Sequence, residues 1–189
     1  MKTGPLARRM TRRGGPLALA ALTLVAALIF GGYLEVQNKR AEALFNRLKA
    51  ADPPRYLDDL RRMEGFDAYV TAYRTLRGFG AFRPEPPRFL VGRWTLRDKP
   101  VRLPPSGSFA QCENPLVIET GHVQMATEET APFNETALYR LTEKGALEVK
   151  TGDHGLIEVQ IVAYGAQIDH LTLTPPGQEA LLYAYPCTA

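Results

Sequence analysis

From Gly14 to Leu34 the chain reads GGPLALAALTLVAALIFGGYL, about 21 residues without an acid or a base. A membrane-spanning helix needs roughly 20 such residues, so this stretch is expected to cross a bilayer as an uncleaved signal-anchor. Lys2, Arg8, Arg9, Arg12 and Arg13 precede it with no acid among them, whereas Glu35, Lys39, Arg40 and Glu42 behind it nearly cancel. Basic flanks stay on the cytoplasmic side. The N-terminus is therefore expected inside and the main domain outside. The rival reading is a cleaved signal peptide, whose apolar region is shorter and ends in a small-x-small site. Here Phe30, Tyr33 and Leu34 occupy that zone. No cysteine follows at a lipid-attachment position, and the Arg12–Arg13 pair is read as a topology determinant.

The rest divides by composition. The expected order is a basic cytoplasmic tail (1–13), the span (14–34), a helical stalk of two helices (35–82), a proline-rich linker (83–87) and an extracytoplasmic β-domain (88–189). The formal charge of +3 conceals an uneven split, with the tail basic and the β-domain acidic. The high pI thus reflects topology and does not argue for nucleic acid as a partner. The excess of Arg over Lys, with abundant Ala, Pro and Gly, suits a GC-rich bacterial genome, which would make the outer compartment a periplasm and the membrane the inner one.

Glu35 to Ala51 keeps helical spacing through Ala41, Leu44, Phe45, Leu48 and Ala51, with no breaker behind the span. Asp52-Pro53-Pro54 is an N-cap followed by Pro in the first turn, and a second helix is expected from about Pro54 to Arg77. Leu57, Leu60, Met63, Phe66, Val70, Tyr73 and Leu76 form its apolar stripe. Three readings suit that stripe: packing against the rest of this chain, a partner helix from another membrane protein, in which case Leu57, Leu60, Phe66, Val70, Tyr73 and Leu76 are the interface residues, or an aromatic-rich ligand groove involving Phe66, Tyr69, Tyr73 and Phe79.

After Arg83-Pro84-Glu85-Pro86-Pro87 the helical period gives way to short alternating segments separated by Gly and Pro turns. Eight or nine strands are expected, among them Arg88–Leu96, Pro100–Leu103, Phe109–Cys112, Leu116–Ile118, His122–Met125, Leu138–Leu141 and Leu156–Val162. A meander of this kind manages its edges best by closing. The fold class is an antiparallel β-barrel, closed or partly open, behind a transmembrane helix and helical stalk. Cys112 and Cys187 both lie beyond the anchor. In an oxidising compartment an even pair is expected to form one disulfide, worth about 4 kcal/mol over a loop of this length; the alternative is two separate thiols.

Gly92-Arg93-Trp94 at the start of the first strand resembles the G-x-W of lipocalin-like (calycin) barrels. The resemblance covers Phe89 to Cys187. It implies a Trp closing the barrel floor, and an interior, lined by residues such as Trp94, Tyr139 and Ile161, that holds a small apolar ligand.

Catalytic signatures are sparse. Ser106 and Ser108 lie in a Pro/Gly turn outside any nucleophile-elbow pattern, and His122, His154 and His170 lack metal-ligand spacing. With no phosphate loop, dinucleotide fingerprint or haem-attachment motif, no cofactor, metal or enzymatic activity is expected. Arg88, Arg93, Arg97, Lys99 and Arg102 make a basic cluster suited to solvent, anionic lipid or an acidic partner. The expected role is an accessory or assembly component of a membrane protein complex; the alternative is a tethered carrier or sensor of an apolar molecule.

Overall fold

The computed structural model describes residues 15–126 and 132–188, with side chains from residue 20 onward. The basic tail and Glu128 and Glu129 lie outside the described residues. Two compact units divide at Ala51/Asp52.

The first unit is a single helix, α1 (Gly15–Ala51). Its 37 residues extend about 55 Å at 1.5 Å per residue, more than a hydrocarbon core of about 30 Å. The apolar part has a mean hydropathy of 1.6 and none of it is buried. By length and composition this helix can cross a membrane.

The second unit opens with α2 (Pro53–Glu64), capped by the Asp52 carboxylate, which accepts from the Arg55 amide at 3.1 Å. The single helix expected from Pro54 to Arg77 is instead two, because the chain breaks at Gly65 before α3 (Phe66–Leu76). Gly65 adopts φ +92°, a conformation costly for any residue with a Cβ. The break places the first amide of α3 against the Gly165 carbonyl, 2.8 Å away. A Cβ on Gly65 would meet that same oxygen at 3.2 Å. The α3 C-terminus closes with a six-to-one bond from the Phe79 amide to the Arg74 carbonyl, with Gly78 at φ +72°, as in a Schellman motif.

Eight strands among the described residues form a closed antiparallel meander: β1 (Gly92–Arg97), β2 (Pro115–Glu119), β3 (His122–Met125), β4 (Phe133–Leu141), β5 (Leu147–Thr151), β6 (Leu156–Tyr164), β7 (Gln167–Leu173) and β8 (Leu182–Pro186). β1 pairs with β8 through Trp94–Pro186 to Arg97–Tyr183, which closes the ring. Ile157 and Val159 face inward and Glu158 and Gln160 outward, the alternation that one-sided burial demands.

Pro100–Leu103 and Phe109–Cys112 are not strands. They belong to the loop between β1 and β2, where Pro100, Pro104 and Pro105 supply no ladder donors. That loop lies against the outer side of β8. The Val101 amide donates to the Tyr185 hydroxyl at 2.9 Å, Phe109 stands edge-on to the Tyr185 ring, and a Cys112–Cys187 disulfide pins the crossing with Cα atoms 5.7 Å apart. Tyr185 is consequently fully buried although it points away from the barrel interior.

Residues 79–91 are stitched into the barrel. Arg83 exchanges both backbone bonds with Tyr139, at 3.1 and 2.7 Å, Phe79 accepts from the Leu141 amide, and Pro84 accepts from Gly121. This segment occupies the side of β4 that β3 leaves unpaired beyond Thr136. Pro84 is tolerated there because it acts as an acceptor only.

Because the strands alternate in direction, the β2–β3, β4–β5 and β6–β7 turns share one end of the barrel with the start of β1. The two short helices cap that end. Arg61 donates to the Ala166 carbonyl in the β6–β7 turn, Arg74 donates to the Leu141 carbonyl at 2.9 Å, and Val70 reaches Gly145 in the β4–β5 turn. Leu57, Phe66, Tyr69, Val70 and Tyr73 join one hydrophobic core with Leu141, Leu147, Val159 and Leu171 of the barrel.

Candidate functional site: a cationic groove beside the helical cap

The residues expected to line a ligand cavity, Trp94, Tyr139 and Ile161, stand in three different settings. Trp94 is buried at the capped end, where its indole N–H donates to the Leu90 carbonyl at 3.0 Å. The polar atom of this Trp is thus bound by the chain itself. Tyr139 is wholly buried and its hydroxyl donates to the carbonyls of Glu119, at 2.9 Å, and His122, both at the β2–β3 turn. Burial pushes that hydroxyl's pKa well above the ordinary tyrosine value. Ile161 is half-buried and lines a small cleft between α3 and the β4–β5 turn with Phe66 and Val70. Between them, Tyr139, Leu141, Leu147, Leu171 and Met125 are excluded from solvent inside the ring.

The stripe residues also have occupants. Leu57, Leu60, Phe66, Val70 and Tyr73 are buried within the second unit, and Leu76 is half-buried at the edge of α3. The barrel that follows covers the stripe, so these side chains are not an open face. Met63, at 69% exposure, is the stripe residue that remains in solvent.

The histidines stay apart. His122 begins β3, His154 pairs with Glu135 in the β5–β6 loop, and His170 sits on the outer side of β7 with its Nδ1 2.6 Å from Asp169 and its ring against Tyr183 and Tyr185. Burial works against ionisation of Glu135, but the Asp153 amide and His154 outweigh it and hold the carboxyl below its ordinary pKa. Among the described residues no three potential ligands gather as a metal site. Ser106 donates to the Ser108 carbonyl within its turn.

What the fold does assemble is a groove of about 490 Å³ between the end of α3 and residues 83–88. Arg77, Arg83 and Arg88 rim it, Glu85 is its sole acid, and Leu76 and Phe79 floor it. Each arginine arrives differently: Arg77 as the α3 C-cap, Arg83 on the segment paired with β4, and Arg88 just beyond the proline run. Arg83 is held in place. Its guanidinium stacks 4.7 Å from the Phe79 ring centroid, donates to the Arg77 carbonyl at 2.7 Å and to the Glu85 carboxylate at 3.0 Å. The hydrogen bond from Arg83 keeps Glu85 ionised to lower pH than an ordinary glutamate. Arg77 and Arg88 are exposed and have no carboxylate partner among the described residues. Of the five-residue basic cluster read from the sequence, Arg88 alone joins this groove, while Arg97 pairs with Glu113 at 2.7 Å and Lys99 lies 4.0 Å from Asp98.

The sequence signals for this groove were scattered over three unrelated local structures, and only the turn at Gly78 with the pairing of Arg83 to Tyr139 brings them together. Against protein-family models, curated proteins and solved structures alike, nothing significantly similar to this chain was found.

Proposed function

We propose that the protein is a single-pass, membrane-anchored interaction module with its N-terminus in the cytoplasm and its barrel in the periplasm, serving as an accessory or assembly component of a membrane protein complex. The observation that carries this reading is the state of the barrel interior. Its inward side chains are occupied with one another, and the polar atoms of Trp94 and Tyr139 are bound to the chain's own carbonyls. A carrier's pocket instead combines apolar walls with polar groups free to orient a ligand. The disulfide suits an oxidising compartment, and the wholly exposed apolar part of α1 suits a lipid or protein surround. Cys112 and Cys187 are the chain's two cysteines, so topology is testable with a cysteine introduced into the tail. Such a residue should label only after the inner membrane is permeabilised, whereas one introduced at Met63 should label in intact spheroplasts.

Photo-crosslinking from Met63 in intact membranes tests the interaction itself. A reproducible hetero-adduct of defined mass is expected. An adduct-free protein that instead shows a saturable change in Trp94 fluorescence with a lipophilic probe would favour the carrier.

A further inference from the structure

We infer that the groove rimmed by Arg77, Arg83 and Arg88 receives an acidic peptide segment of a protein partner, one in which carboxylates alternate with apolar side chains. This rests on the interaction reading above and names the chemistry of the partner.

Charge is the first argument. Residues 52–189 carry 14 basic and 18 acidic side chains, a net charge of −4. The groove reverses that sign, with three guanidiniums against Glu85 alone. One of the three is already neutralised by Glu85, which leaves Arg77 and Arg88 as two uncompensated charges on one concavity. An acidic segment would be repelled by the unit as a whole and drawn to this place, which is how charge patterning selects a docking site.

Preorganisation is the second. Arg83 is fixed by a ring, a carbonyl and a carboxylate. A guanidinium held this way loses little freedom on gaining another acceptor.

The floor decides between anions. Isolated exposed ion pairs contribute little, so charge alone would hold a free phosphate or a headgroup weakly. Half-buried Leu76 lines the groove with the arginines, and apolar side chains interleaved with carboxylates would cover it. Inorganic phosphate would leave that floor wet.

The test uses the full-length protein in phosphatidylcholine nanodiscs and two short fluorescein-labelled peptides, one alternating Glu and Leu and the other with Lys for every Glu. Fluorescence anisotropy should show saturable binding of the acidic peptide and no binding of the basic one. The Arg77→Glu/Arg88→Glu double variant should weaken the acidic peptide at least about tenfold, as loss of two complementary charges with reversal predicts. Both positions are exposed, so its Trp94 emission and melting temperature should match the parent. The Arg77→Lys/Arg88→Lys variant keeps the charge and serves as the folding-neutral control; it should retain most of the affinity. Equal binding of both peptides, or no change on double reversal, overturns the proposal. So does an acidic peptide that binds as well with Ser for every Leu and is displaced by millimolar phosphate, since the ligand would then be an anion without a peptide. Competition by phosphatidylglycerol in the disc would assign the groove to lipid and likewise overturn it. If the Met63 adduct forms unchanged in the double-reversal variant, the groove proposal alone fails; if no adduct forms in the parent, the interaction reading fails.

Discussion

The Phe66 amide donates to the Gly165 carbonyl over 2.8 Å, joining the first turn of α3 to the tip of the β6–β7 hairpin a hundred residues later. That bond exists because Gly65 takes φ +92° and leaves no Cβ in the way. Replacement of Gly65 by Ala should therefore cost more than the usual helix-boundary change: positive φ strain plus displacement of Gly165, about 1–3 kcal/mol together. Thermal unfolding of the full chain in detergent, followed through Trp94, should show a lower midpoint. A Gly65→Ala protein as stable as the parent would remove the role assigned to this break.

Breaking the Cys112–Cys187 bridge should be costlier. Its 75-residue span gives about 4 kcal/mol in the chain-entropy model. A double Cys→Ala variant should unfold at markedly lower temperature, and the parent should migrate faster on non-reducing than on reducing gels. The Tyr185 cover formed by Val101 and Phe109 should loosen first, visible as faster exchange of the Val101 amide.

Tyr139→Phe removes one hydroxyl from the core and nothing else. The carbonyls of Glu119 and His122 lose their shared donor, and an unsatisfied buried group costs about 1–3 kcal/mol. Solution of the variant at unchanged stability would mean water replaces the hydroxyl at the β2–β3 turn.

Alkaline pH provides an independent check on the helical cap. Burial, reinforced by neighbouring Tyr73, pushes the Tyr69 pKa up to about 12, against about 10 in an unfolded chain. The unfolded form thus releases its proton first. The associated stability is fully present below pH 10 and is lost as pH rises from there through the folded value. Unfolding midpoints should fall across that window, and less steeply in Tyr69→Phe.

The barrel was readable because its cause is local. Ile157-Glu158-Val159-Gln160 alternates regardless of what lies opposite, and Gly145 and Gly165 mark turns at positive φ. The break at Gly65 was not readable. A single glycine costs a helix only about 1 kcal/mol, and what decides the outcome is Gly165, far along the chain. The stripe from Leu57 to Tyr73 was legible as something to be covered, but alternation alone does not say that the end of the barrel does the covering. The groove was hidden for the same reason: Arg77, Arg83 and Arg88 share no period, and their meeting depends on the pairing of Arg83 with Tyr139. Pro84, read as part of a boundary, is an acceptor for the Gly121 amide beside that pairing.

The pairing of β1 with β8 has a consequence for biogenesis. As the chain is made from its N-terminus, Trp94 and its neighbours emerge early and must wait, with one edge bare, for Leu182–Pro186 to arrive. Until then the outer edges of β1 and β7 both offer unpaired backbone to any passing strand. A product truncated before Leu182 would display two open edges and a Cys112 thiol without its Cys187 partner, so the barrel's closure and its cross-link both wait on the same last strand.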